Sequence, residues 1–243
     1  MANNVFQKIG NTFMDLLCPD KVTCLLCSKE IKSGYLCAEC ESKVKRNIKN
    51  RCERCSRPTV SVEDNLCEQC KRQATVNFDK VVAPFIYEGT ALGLIRALKY
   101  QDRRDIVDYF APYMEKEYQS LPKTDIIIPV PMHKAKYLDR LYSQSEELCN
   151  ALCERIDRKA RVDLVSKIKD TGTQTVLNYE KRQENVKSSF RVLDKKEIKD
   201  KSVLIIDDVF TTGATVNELA RVLKKAGASK VYALCACIAN YKV

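Results

Sequence analysis

Apolar residues change their spacing along the chain, and each change marks a different kind of structure. Val5, Phe6, Ile9, Phe13, Leu16 and Leu17 recur at the spacing of one helix face, which predicts a short amphipathic helix over residues 1–18. Such a helix either packs on the rest of the chain or docks a partner. From Cys18 to about Asn77 long apolar runs give way to cysteines. Beyond that point, residues 79–87 read as a strand, and residues 90–99 and 103–119 as helices. A repeated strand and helix rhythm follows. Strands are expected at 125–130, 161–168, 203–206 and 230–239, and helices at 143–156 and 214–226, the last one stopped by Gly227. Continuous Ile and Val strands separated by helices predict an α/β fold, a parallel sheet covered on both faces. Ligands of such sheets bind beyond the carboxyl ends of the strands. Residues 167–190 are polar and aperiodic, which marks either a functional loop or a disordered one. The expected organisation is a helix over 1–18, a small metal-organised module over 19–77 and a sheet domain over 78–243.

The cysteines supply the next constraint. Cys24, Cys27, Cys37 and Cys40 form two CxxC pairs, and Cys52, Cys55, Cys67 and Cys70 repeat the arrangement. Two thiolates three positions apart on a tight turn reach one metal at about 2.3 Å, and two such turns complete a tetrahedron. Disulfides are the competing reading, but eight cysteines all arranged as CxxC favour zinc. Spacing leaves open whether the sites close sequentially or interleave; sequential closure makes shorter loops and costs less entropy. Four thiolates leave no open position, so the two expected Zn2+ ions are structural. Cys18, Cys149, Cys153, Cys235 and Cys237 read as small apolar residues, far in sequence from His133, the single histidine.

Charge modifies this picture modestly. The formal net charge is +10. Each four-thiolate zinc site carries a net −2, which brings the total to about +6 and favours anionic partners, phosphates or nucleic acid, without choosing between them. No apolar run approaches the roughly 18 residues of a membrane span, and the first residues lack the pattern of a secretion signal. The expected location is the cytoplasm.

The strongest chemical signal is VLIIDDVFTTGAT, residues 203–215. A buried strand delivers Asp207 and Asp208, and Thr211, Thr212, Gly213, Ala214 and Thr215 turn into the next helix. Backbone N–H groups, hydroxyls and the positive end of the helix suit a phosphate monoester, and Gly213 allows close backbone approach. Two carboxylates repel phosphate; they suit ribose hydroxyls and, through the ligand, Mg2+. A strand ending in two aspartates also occurs in ATPases. These require GxxxxGK[ST], which none of Gly10, Gly34, Gly89, Gly93, Gly172, Gly213 and Gly227 can form. A phosphoacceptor receiver domain would place its acidic pair after the first strand.

Together these residues resemble the phosphoribosyltransferase signature, and the remainder of the chain is similar to the ComF family. The matching pieces, in order, are the double CxxC module; Tyr87-Glu88-Gly89; Leu98-Lys99-Tyr100 with Asp102 and Arg103; Pro129 to Pro131 with His133; Arg140 and Gln144; Gln174; Arg182 and Asn185; and Asp207 to Thr215. Leu141, Tyr142 and Ser143 stand where that family usually has Gly, Phe and Asn. The resemblance implies a type I phosphoribosyltransferase-like sheet with an N-terminal double zinc ribbon, and phosphoribosyl pyrophosphate or a related ribose phosphate as ligand. It implies that Lys134, Lys136 and Arg140 handle pyrophosphate, and that Arg182 and Asn185 belong to a loop closing over the sugar. It further implies assistance to competence, the handling of single-stranded DNA alongside a helicase-type ATPase. Two alternatives stand beside this reading: an active phosphoribosyltransferase of unknown acceptor, and a non-catalytic scaffold.

Overall fold

A computed structural model of the chain describes residues 22–48, 50–59, 65–73, 75–170 and 186–240. The expected helix over 1–18, Cys18, Gln174, Arg182 and Asn185 lie outside them. The chain divides into two compact units, Met1–Lys43 and Val44–Val243.

The first unit carries α1 (Ala38–Ser42), whose first turn follows Cys37. The second unit runs through α2 (Glu68–Arg72), β1 (Lys80–Val82), β2 (Phe85–Ile86), α3 (Gly89–Tyr100), α4 (Ile106–Gln119), β3 (Ile126–Pro129), α5 (Lys134–Arg140) and α6 (Gln144–Arg155). It continues with β4 (Val165–Lys167), β5 (Phe190–Val192), α7 (Lys195–Ile198), β6 (Ser202–Phe210), α8 (Ala214–Lys225) and β7 (Lys230–Ile238).

The sheet is parallel throughout. β7 lies between β6 and the pair β1 and β2, and β6 lies between β7 and β3. β6 and β7 hold the centre because both are long apolar runs that tolerate burial on both faces. Strand alternation sends Val203, Ile205, Val231 and Ala233 to one face, where they share an apolar cluster with Val216, Leu219 and Leu223 of α8. α6 packs against β6 and β3, and α4 against β7. The second cysteine group is part of this core: Cys52, Cys55, Cys67 and Cys70 lie in the same apolar cluster as Phe78, Val81 and Phe210.

Several elements differ from the sequence expectation, the short β5 and α7 appearing without one. The strand expected over 79–87 is two, because Pro84 has no N–H to offer the ladder; β1 and β2 flank it and both pair with β7. The strand expected over 161–168 does not join the parallel sheet. Only β4 forms, antiparallel to β5, while the neighbouring chain touches β3 through a single bridge, Ile127 to Ala160. Arg161 turns instead to partners outside the sheet, Asp163 at 2.8 Å and Glu197 at 3.0 Å. The stretch between β3 and α6, to which the sequence assigns no element, contains a helix, α5. None of its residues is buried, so it leaves no apolar period to read. His133 caps it, with Nδ1 accepting from the Ala135 N–H at 3.4 Å.

Candidate functional site

The ends of β3 and β6 open into a cleft of about 650 Å³. Its walls include Tyr87, Lys99 and Tyr100 from the α3 side, His133, Lys136 and Arg140 after β3, Lys167 of β4, and Asp207, Asp208, Thr211 and Thr215.

Successive residues of a strand point in opposite directions, so Asp207 and Asp208 meet different neighbours. Asp207 Oδ1 accepts from Ser145 Oγ at 2.8 Å and from the Asp208 N–H at 2.9 Å. Asp208 Oδ1 accepts from the Val209 N–H at 2.8 Å, and its other oxygen pairs with the ammonium of Lys99. Burial, reinforced by the charge of Asp208, pushes the Asp207 carboxyl up to about 7, against the opposing pull of Ser145 and Lys99. Burial works against the Lys99 ammonium as well, but attraction to Asp208 outweighs it and holds its pKa above the usual lysine value. Lys167 moves the other way: burial and then the charge of Lys136 push it down.

The turn after β6 requires its glycine. Gly213 has φ +80°, and a Cβ there would lie 2.6 Å from the ring of Phe210, so a side chain is barred by both conformation and space. Thr212 is buried, and its hydroxyl accepts from the Ala214 N–H at 3.3 Å; Thr211 and Thr215 face the cleft. α8 starts here, and its positive end suits an anion.

Of the residues singled out by sequence, Asp207, Asp208, Thr211, Thr215, Lys136 and Arg140 converge on this cleft. Lys136 is 3.6 Å from Asp170; Arg140 donates to Gln144 Oε1 at 3.1 Å and lies 5.0 Å from the centre of the Tyr100 ring. Lys134 lines an adjoining cavity with Tyr137, Glu146 and Arg161. Sequence reasoning gave no role to Lys99 or Lys167, yet each carried a signal. Lys99 extends the buried row Ala91, Ile95 at i+4, and Lys167 shares a strand face with buried Val165. A cation continuing an apolar row is either an outlier or a partner for a buried acid.

The cysteines close sequentially. The Sγ atoms of Cys24, Cys27, Cys37 and Cys40, and those of Cys52, Cys55, Cys67 and Cys70, lie within 4.8 Å of one another in each group. Cys27 and Cys37 are 3.7 Å apart and Cys55 and Cys67 3.6 Å, matching the roughly 3.8 Å edge of a tetrahedron with Zn–S bonds of about 2.3 Å. Each first CxxC is followed by a left-handed serine, Ser28 at φ 59° and Ser56 at φ 60°. Each second CxxC begins a one-turn helix. Both sets therefore fit a closed, structural zinc.

Among the described residues no helix is long and apolar enough to cross a membrane.

Residues 143–242 match the phosphoribosyl transferase domain family, and residues 13–71 the double zinc ribbon domain family. The chain is 28% identical over 215 residues to competence protein F of Haemophilus influenzae, covering 86% of each. It is 29% identical over 223 residues to the DNA utilization protein YhgH of Escherichia coli, covering 88% of this chain and 96% of that one. To competence protein ComFC of Streptococcus pneumoniae it is 23% identical over 224 residues, 86% of this chain and 96% of the other. A solved hypoxanthine phosphoribosyltransferase from Staphylococcus aureus aligns with 54% of this chain and 60% of its own at 15% identity, with a TM-score of 0.31.

Proposed function

We propose that this chain, which belongs to the ComF family of phosphoribosyltransferase-type proteins with a double zinc ribbon, binds phosphoribosyl pyrophosphate or a related ribose phosphate in the cleft at the end of β6. The observation that carries the reading is the order along one strand and turn. Asp207 and Asp208 stand beside Thr211 to Thr215, and Gly213 is held at a conformation only glycine takes without strain.

In this reading the Thr211–Thr215 turn and the start of α8 take the 5-phosphate, and the two carboxylates accept from the ribose hydroxyls. Lys99 pairs with Asp208 and holds it in place. Lys136 and Arg140, which line the same cleft, meet the pyrophosphate; the family resemblance adds Lys134, Arg182 and Asn185 as further contacts. Asp207 and Asp208 are oxygen donors of the kind that suit Mg2+, which takes few protein ligands and completes its shell from substrate phosphates; when bound it would neutralise the departing pyrophosphate charge. The relatives named for competence and DNA utilization support a role in DNA handling, which the family resemblance narrows to single-stranded DNA in the cytoplasm beside a helicase-type ATPase. A modest positive charge supports contact with a phosphate backbone.

Titration calorimetry with phosphoribosyl pyrophosphate and Mg2+ tests the site. Asp207→Asn with Asp208→Asn is expected to weaken binding at least 100-fold, since charge-assisted bonds each contribute about 1.5–3 kcal/mol; unchanged affinity would refute the assignment.

One observation favours a second reading, an active transferase. A carboxyl near pH 7 in a cleft beside two lysines suits acid–base work at neutrality. The reaction would break the bond from ribose C1 to pyrophosphate and form one to an acceptor. A screen of ammonia and nucleobases for pyrophosphate release distinguishes turnover from binding alone.

A further inference from the structure

We propose that the second four-cysteine group acts as a strut for the ribose-phosphate turn, with Arg57 and Gln69 as positioning residues that fix the two peptides preceding Gly213. The inference deepens the reading of that turn as a phosphate site and rests on it.

The connection begins in the ligand spacing. Arg57 stands two residues after Cys55, and Gln69 lies between Cys67 and Cys70, so each CxxC of this group carries one of the two side chains. Arg57 is 4% exposed, a burial at which a cation is found only when its donors are used. Its Nη2 donates to the Thr211 carbonyl at 2.5 Å, its Nε to the Ala239 carbonyl at 3.1 Å, and its Nη1 to Gln69 Oε1. Gln69 passes the link on, donating through Nε2 to the Thr212 carbonyl at 3.0 Å.

The two accepting carbonyls are the ones that matter for a phosphate. In a planar trans peptide the C=O and the following N–H point in opposite directions. Holding the Thr211 and Thr212 carbonyls toward the zinc loops aims the Thr212 and Gly213 N–H groups away from them, and these are members of the set a phosphate needs. Arg57 also sits 5.8 Å from the ring centre of Phe210, the ring that fills the space under Gly213. Further bonds keep the loops from sliding against the sheet: the Val81 N–H donates to the Arg54 carbonyl at 2.8 Å, and Asn47 Nδ2 to the carbonyls of Ser56 at 2.8 Å and Ala83 at 2.9 Å. Four thiolates on one zinc would lock both CxxC loops, and with them the two side chains.

The test uses the full chain with its zinc, measuring amide hydrogen exchange and calorimetric affinity for ribose 5-phosphate in Gln69→Leu and Arg57→Lys. Both variants are expected to keep two zincs per chain and the exchange protection of Ile205 and Ala233. Exchange at the Thr212 and Gly213 amides should rise, and ribose 5-phosphate affinity should fall on the order of tenfold, the effect of one lost buried hydrogen bond. Turn exchange unchanged in both variants at full zinc content would overturn the proposal, even if the native chain binds the probe well. Faster turn exchange in a chain whose native form ignores ribose 5-phosphate would keep the strut and overturn the phosphate reading. Should Gln69→Leu lose its sheet protection, Arg57→Lys, which keeps the charge and shortens the reach, decides the matter alone.

Discussion

Cys24, Cys27, Cys37 and Cys40 close on one another inside the unit Met1–Lys43, with Cys27 exposed and Leu26, Ile31 and Leu36 half-buried around them. Cys52, Cys55, Cys67 and Cys70 have the same pairing and the same left-handed serine, yet all four are buried in the apolar cluster that holds β6 and α8. One motif thus serves two ends. The described residues around the first group form only a small apolar cluster, whereas the second is built into the wall behind the cleft. What separates them is the residues between and after the ligands, Leu25, Leu26 and Lys29 in the first against Arg57 and Gln69 in the second.

Removing one thiolate from each group breaks the comparison most forcefully. Structural zinc contributes on the order of 10 kcal/mol to small modules. Cys55→Ser is expected to unfold the cleft unit or lower its melting temperature by more than 10 °C, and to abolish ribose 5-phosphate binding. Cys27→Ser should lower zinc content to one per chain and leave the main melting transition in place. Calorimetric melting with metal analysis reads both, and equal damage from the two variants would erase the distinction.

Gly213→Ala comes next. Its Cβ meets the Phe210 ring and its backbone sits at φ +80°, so a cost of roughly 1–3 kcal/mol is expected from strain at such a position. Denaturant melts should show that cost while zinc content stays at two.

A smaller effect comes from Asp207. Its carboxyl lies at about 7 in the folded chain, above the unfolded value near 3.9, so the folded state holds the proton more tightly. The stabilisation is complete below the unfolded pKa and is lost as pH rises through 7. Between pH 5.5 and 8 the native chain should lose roughly 1–2 kcal/mol of stability by this route. Asp207→Asn should flatten that slope, as read by guanidinium midpoints, and an unaltered slope would show the carboxyl to be ionised throughout. Smallest of all, Glu39→Gln removes the partner of Lys43 on exposed α1, and melting is expected to stay unchanged.

Much of this was legible in the residues. The cysteine spacing set out both thiolate groups, and the run from Val203 to Thr215 showed a buried strand, two acids and a glycine turn, because each step there is local. What stayed hidden depends on contacts across the chain. Gln69 and the Thr212 carbonyl are 143 residues apart, and no spacing rule joins them. Lys99 stood in the Leu98-Lys99-Tyr100 motif without a role until Asp208 faced it. α5 escaped because an exposed helix has no apolar period, and residues 161–168 misled because their apolar positions resemble a strand while Arg161 seeks surface partners. Pro84 was the readable clue to the split of β1 from β2.

The place of a bound ribose phosphate decides the role of the cleft. Amide chemical shifts recorded while phosphoribosyl pyrophosphate is titrated into the zinc-loaded chain locate it directly. The largest changes are expected on Thr211, Thr212, Gly213, Ala214 and Thr215, with smaller ones at Asp207 and Asp208 and none between Cys24 and Cys40. Saturating ligand that leaves the Thr211–Thr215 amides unmoved would contradict this placement.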